Sequence, residues 1–285
     1  MNLMKTRLIV LALIVIPLVC TSTSSAQVRQ DAGTKLLVPS SAGTGSFTSL
    51  LVVLNLDSQS NDITITARQT DGSPIGVPIS TTLPVGGRFS STNIFADMGV
   101  PAGPSVFGPI TVESTNGKLL SAVSEVSSAQ GNAGFFPGVN VDTAWTEGFI
   151  LEVADTGDEG QIGTHRTNLG VNVVGAASTN VSMSFYNNSG TQLGSTAVTV
   201  RGNGLTQVND VIRQALGSTT VTGQSGYLRL VSDQPIIAWA SKIENGFDDP
   251  SFEIGVAATP PSQSTFSVRA RANIGSTEPP AGQSE

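Results

Sequence analysis

The chain has 285 residues, of which 12% are charged and 5% aromatic, and its 31 glycines and 15 prolines point away from both a helical bundle and a disordered chain. A formal net charge of −7 and a pI near 4.7 offer no basic surface to phosphates, so nucleic acid is not an expected partner. One histidine and one cysteine in the whole chain exclude most zinc, thiol and metal-hydrolase chemistry.

Residues 1–26 have the three parts of a secretory signal. Lys5 and Arg7 precede the apolar run Leu8 to Val19, and Ser24-Ser25-Ala26 supplies a small-residue cleavage site. The apolar run is shorter than the roughly 20 residues needed to span a bilayer, so no membrane span is expected once the signal is removed. A lipid anchor on Cys20 does not fit, because Pro17-Leu18-Val19 puts no small residue just before the cysteine. Removing 26 residues leaves 259 with a net charge of −9 and no cysteine, so the exported chain must be held by its cores rather than by disulfides.

The remaining chain reads twice. Asp71-Gly72-Ser73-Pro74-Ile75-Gly76 falls on Ser189-Gly190-Thr191-Gln192-Leu193-Gly194 at a shift of 118, as do Ile63-Thr64-Ile65 on Val181-Ser182-Met183 and Ile94 to Gly99 on Ile212 to Gly217. A shift of 117 places Leu119-Leu120-Ser121-Ala122 on Ile236-Ile237-Ala238-Trp239, and Gly138-Val139 on Gly255-Val256. Within each copy the period is two: Asp62 to Thr66 and Thr179 to Phe185 alternate polar and apolar, the mark of a strand with one buried face. Leu50 to Leu54 and Pro235 to Ala240 are continuously apolar and read as central strands covered on both faces. Thr92 or Asn93, and Asn209 or Asp210, are candidate caps for short helices that end at Gly99 and Gly217. The expected fold class is therefore all-β: two tandem immunoglobulin-like β-sandwich domains with short helical crossovers, over 33–145 and 146–258. Residues 259–285, rich in Pro, Ser and Gln, read as a disordered tail.

The second copy carries His165-Arg166-Thr167-Asn168-Leu169-Gly170, Val208-Asn209-Asp210-Val211, Ser232-Asp233-Gln234-Pro235-Ile236-Ile237-Ala238-Trp239 and Asp248-Asp249-Pro250. In this texture the chain resembles tandem β-sandwich repeat proteins of unassigned function exported by environmental bacteria, over nearly all of 33–258. The first copy departs from it, with Phe47-Thr48-Ser49-Leu50 in place of Arg166-Thr167-Asn168-Leu169 and no Asp-Asp-Pro. The resemblance implies the fold and export and supplies no catalytic residue.

No enzymatic chemistry is expected. His165 is the only possible histidine base and no Gly-x-Ser-x-Gly elbow occurs in a strand-to-helix context. Two carboxylates for glycoside hydrolysis can always meet in space, but the aromatic supply for a sugar cleft is thin: Trp145, Trp239, Tyr186 and Tyr227 besides Phe, with Trp239 in an apolar run that reads as core. Arg166, Asn168, Asn209 and Asp210 read as an ion-pair partner and capping residues, and Gly43-Thr44-Gly45 and Gly202-Asn203-Gly204 as turns. The one site chemistry expected is calcium. Asp155, Asp158 and Glu159 crowd a glycine-bearing loop, with Asp248 and Asp249 as further oxygen ligands, and the corresponding stretch of the first copy, Ser40 to Gly45, holds no acid.

The expected function is a non-catalytic structural or adhesive binding protein, secreted or at the cell surface, whose partner is an extracellular protein or glycan. A carbohydrate-binding module or glycoside-processing subunit is the alternative, and polymerisation by edge-strand addition a third. N-terminal sequencing of the protein recovered outside an exporting cell is expected to begin at Gln27; a chain that keeps Met1 would remove the export reading.

Overall fold

The structure is a computed structural model describing residues 31–43, 46–101, 105–128 and 133–259; the expected signal at 1–26 and most of the expected tail, 260–285, lie outside them. The chain is nearly all β and its ladders are antiparallel. A first set of strands comprises β1 (Lys35–Gly43), β2 (Phe47–Asn55), β3 (Asn61–Arg68), β4 (Pro74–Leu83), β5 (Arg88–Ser91), β6 (Val106–Ser114), β7 (Leu120–Ser128), β8 (Ala133–Pro137) and β9 (Val139–Asn140), with α1 (Ile94–Asp97) between β5 and β6. A second set comprises β10 (Trp145–Asp155), β11 (His165–Val173), β12 (Thr179–Asn187), β13 (Gln192–Val200), β14 (Leu205–Val208), β15 (Gln224–Glu244), β16 (Asp249–Ile254) and β17 (Val256–Ala257), with α2 (Val211–Leu216) before β15. Among the described residues no helix is long and apolar enough to cross a membrane.

In the first set one sheet runs β4-β3-β6-β1-β9 and the other β5-β2-β7-β8. The second set repeats both orders, as β13-β12-β15-β10-β17 and β14-β11-β15-β16. Here β15 serves twice, its first part standing where β6 stands and its second part where β7 stands. Five residues, 115–119, separate β6 from β7, and Gly117 turns there at φ 73°. Only three, 233–235, lie at the corresponding place in β15, too few for that turn.

Alternation of side chains drives these elements as expected. Ile63, Ile65 and Ala67 of β3, and Val181, Met183 and Phe185 of β12, point inward and are buried, with the intervening residues on the outer face. Each set closes on its own core: Leu36, Ile65 and Val112 of one sheet meet Leu51, Val53 and Leu120 of the other, and Ile150, Met183 and Leu230 meet Leu169, Val171 and Ile236. Asn93 caps α1 by accepting the Ala96 N–H at 3.2 Å, and Gly217, at φ 63°, ends α2. Asp210, an expected cap, sits at φ 48° and makes no side-chain cap; its N–H goes instead to the Asn168 amide oxygen at 3.1 Å.

The ladders correct four expectations. Trp145, grouped by sequence with the first copy, begins β10 and pairs with Ile236. The counterpart of Leu120 is Ile236, because Asn55 pairs with Leu120 as Val173 pairs with Ile236; the shift in this strand is 116, and a one-residue slip exchanges the faces. Leu50 to Leu54 is central but not covered on both faces: Leu51 and Val53 are buried while Leu54 is 38% exposed. In the other apolar run Ile236 to Ala240 are all buried, but Pro235 is exposed.

What covers the outer face of β15 is the first set. Ile237 is buried with Leu37 and Val139, against Val174 and Ile254. Trp239 is 2% exposed and its ring meets Phe136 edge-on at 5.5 Å. Its indole N–H donates to Asn172 Oδ1 at 3.1 Å, and the Asn172 amide in turn donates to the Pro39 carbonyl at 3.0 Å. Truncation of Ile237 to Ala is expected to lower unfolding free energy by about 2 to 4 kcal/mol in urea titration; a loss below about 0.5 kcal/mol, the level of a surface change, would remove the residue from this contact.

Candidate functional site

The connection between β10 and β11 has nine residues, 156–164, where that between β1 and β2 has three. Matching ladders put the difference at six inserted residues: Ser41 pairs with Gly108 as Val153 pairs with Gly226, a shift of 112, whereas Leu51 pairs with Ser91 as Leu169 pairs with Val208, a shift of 118 from β2 to β11. The expected calcium loop is this insertion.

Its first carboxylate is committed elsewhere. Asp155, 1% exposed at the end of β10, accepts Nε and Nη2 of Arg213 through Oδ1 at 3.0 and 2.9 Å, and the backbone N–H and hydroxyl of Thr222 through Oδ2 at 2.9 and 2.8 Å. The hydrogen bond to Asp155 holds Arg213 above the usual guanidinium range. Asp158 stands 3.9 Å from the same guanidinium, and Asp248 pairs with Arg166 at 2.8 Å. Glu159 is exposed, and Asp249 opens β16 with a side chain outside the described residues. Asp155, Asp158 and Asp248 thus face two arginines, and among the described residues no three His, Cys, Asp or Glu side chains group as a metal site.

Asn245 and Glu244 organise the loop. The buried Asn245 donates to the Gly157 carbonyl at 2.9 Å and to Thr164 Oγ1 at 3.1 Å, accepts Arg166 Nη1 at 2.8 Å, and offers its own carbonyl to the Gly160 N–H at 2.7 Å. Glu244 accepts the N–H groups of Gly163, Gly246 and Phe247. A Cβ on Gly157 would lie 2.4 Å from that of Thr164, so the insertion can fold back only because residue 157 is glycine. The well-bonded loop holds Ile162 and Phe247 out to solvent, 73% and 67% exposed, and a Cβ on Gly246 would touch Ile162 Cγ1 at 2.7 Å, so the two tips are neighbours. Asp158 and Glu159 precede Ile162 in the same loop and Asp248 follows Phe247 in the chain.

Other candidates fall as follows. Arg166 has the acid partner expected of it, Asp248. Asn209 accepts from Gln207 at 2.8 Å. Trp145 is 9% exposed and Trp239 is core, so neither offers a ring to sugar. Tyr186 and Tyr227 sit half-buried on the outer face of the five-stranded order, stacked on each other at 5.1 Å and 4°, with Phe149 beside Tyr227 at 6.2 Å. Sequence reasoning missed Arg213, Thr222 and Asn245, which lie 58 to 88 residues from the groups they hold. It also missed Ile162 and Phe247, whose only local signal was an apolar residue inside a polar turn.

No protein-family model matches the chain, and no curated protein matches it. Among solved structures it is similar to the crystal structure of Thermotoga maritima 1070, at 12% identity and a TM-score of 0.33, covering 41% of this chain and 98% of that one. It is also similar to the N-terminal CBM22-1-CBM22-2 tandem domain of Paenibacillus barcinonensis Xyn10C, at 13% identity and a TM-score of 0.16, covering 79% of this chain and 91% of that one. Neither likeness is close enough to carry a fold or a ligand to this chain.

Replacing Asp155 with Ala leaves the Arg213 guanidinium without its buried partner and is expected to cost about 3 kcal/mol in urea unfolding. Millimolar calcium is expected to leave the melting temperature of the wild-type chain unchanged, because a cation at Asp155 would have to displace Arg213. A calcium-dependent rise that Asp155→Asn abolishes would show a metal at that carboxylate.

Proposed function

We propose that the chain is an exported, non-catalytic structural or adhesive protein of two tandem immunoglobulin-like sandwich domains, and that the loop tip of the second set holds an extracellular protein. The two-domain reading is supported by the repeated strand order and by ladders that all close within one set. The observation that carries the binding role is the pair Ile162 and Phe247. Two large apolar side chains, each about two-thirds or more exposed, stand on loops whose backbone is held by Asn245 and Glu244. A pinned loop loses little conformational freedom on binding, and an apolar centre with a charged rim is the composition of a protein-binding patch. The rim carries both signs, since Asp158 and Asp248 stand against Arg213 and Arg166 while Glu159 is exposed.

Glycan binding, the alternative, draws on Tyr186, Tyr227 and Phe149. It is the weaker reading because the stacked tyrosines already cover one face of each other's rings. Immobilised chain screened against solubilised cell-surface proteins and a glycan array separates the two. The double substitution Ile162→Asp and Phe247→Asp is expected to weaken protein capture about tenfold or more with no change in melting temperature. Undiminished capture by that variant overturns the tip, and glycan binding abolished by Tyr227→Ala would favour the sugar reading instead.

A further inference from the structure

The contact between the two sets uses a different face of each. The first set brings Leu37, Pro39 and Val139, with Phe136 alongside; the second brings Asn172, Val174, Ile237 and Trp239, with Phe252 completing the ring cluster at 4.7 Å from Phe136. Because the ladders correspond residue by residue, the place of each of these groups can be identified in the other set. Those places show which faces the internal contact leaves unused.

On the second set, Phe149 stands where Leu37 stands, since Phe149 pairs with Arg229 and Val256 as Leu37 pairs with Thr111 and Val139. Leu151 lies in the irregularity between Ile150 and Val153 as Pro39 lies in that between Val38 and Ser41. Leu151 and Val256 are 60% and 45% exposed. On the first set, Leu54 stands in the place of Asn172, because Leu54 pairs with Ser121 as Asn172 pairs with Ile237. Leu56 stands in the place of Val174: the Leu56 N–H donates to the Leu119 carbonyl as the Val174 N–H donates to the Pro235 carbonyl, each at 3.0 Å. Phe135, paired with Glu125, stands in the place of Phe252, paired with Ser241. Leu54, Leu56 and Phe135 are 38%, 46% and 55% exposed.

Single exposed apolar side chains are ordinary on a protein surface, but these occupy the positions that the internal contact buries on the opposite set. From this juxtaposition we infer that a second copy of this chain docks head to tail, its Phe149, Leu151 and Val256 face seated on the Leu54, Leu56 and Phe135 face of the next. Edge-strand addition is disfavoured at this place, because the Glu253 carboxylate already accepts the N–H groups of Leu151 and Glu152 at 2.8 and 3.2 Å. The contact joins unlike faces, so it does not close on a two-fold axis; it continues into a filament or a ring. Leu54 has no amide to repeat the Asn172 bridge, which makes the contact between chains weaker than the one within a chain.

The inference uses the structural half of the proposed function and none of its ligand binding, so self-association without capture, or capture without self-association, tells the two apart. Sedimentation velocity of the full chain across a concentration series is expected to show species growing beyond a dimer. Leu151→Arg and Phe135→Asp, each at an exposed position and each keeping the wild-type melting temperature, are expected to sediment as monomers. Mixed in equal amounts they are expected to form a dimer that grows no further, since one intact face of each kind remains. A wild-type chain that stays monomeric at every concentration overturns the proposal, as does association that survives either substitution or a mixture of the two variants that stays monomeric. Cross-links from residues 260–285 to Leu151 within a monomer would make the chain's own end the occupant and overturn it equally.

Discussion

The join between the two sets depends on the indole of Trp239 and on what lies under and beside it. Gly170 and Asn172 occupy the outer face of β11, two residues apart, while Leu169, Val171 and Val173 fill the core behind them. A Cβ on Gly170 would lie 2.0 Å from the indole, so the ring can lie flat on β11 only over a glycine. Asn172 then satisfies a donor on its own set and an acceptor on the other, and a buried amide with both ends bonded is costly to separate. The two sets are thus held in one relation by a polar pin inside an apolar contact. Such a pin fixes geometry more than it adds stability.

The same arrangement explains why two sets with one strand order differ in surface character. In the second set the outer face of the β11 and β15 pair is buried, and apolar residues run unbroken from Ile236 to Ala240. In the first set nothing of the described chain covers that face, and the strand alternates from Leu120 through Ser121, Ala122 and Val123 to Ser124, with the odd-numbered positions half-open. The insertion after β10 acts on another end of the second set. There Arg213, bonded to Asp155, and Asn245, bonded to the Gly157 carbonyl and the Thr164 hydroxyl, hold a loop against the sheet rather than leaving it free.

Which features were legible follows from how local their physical cause is. The alternation in β3 and β12 and the helix stops at Gly99 and Gly217 are written within a few residues and were readable. The run Leu50 to Leu54 misled because an apolar strand implies a cover, and the cover of its counterpart comes from the opposite set. Ile237 was expected to be buried and is, but as part of the join, because the strand correspondence shortens from 118 to 116 where β15 omits the turn at Gly117. Composition reveals a loop with three carboxylates but not the arginine 58 residues further on that takes the first of them. Ile162 and Phe247 gave no periodic signal, since a side chain that faces water has no spacing to obey.

The first strand of each set has a place in time as well as in space. β1 has no ladder partner until β6, whose nearest paired residue, Val106, lies 63 positions after Gly43, and β9 comes later still. Emerging from synthesis at about 5 to 20 residues per second, β1 waits about 3 to 13 s with Leu36, Leu37 and Val38 unpaired. Pro39 ends that apolar stretch with a residue that cannot donate to a foreign strand. β10 faces the same delay before β15, and there Glu147 and Glu152 bracket Phe149, Ile150 and Leu151 with charge. The nascent chain therefore carries a guard at each of the two points where it is most exposed to pairing with a neighbour.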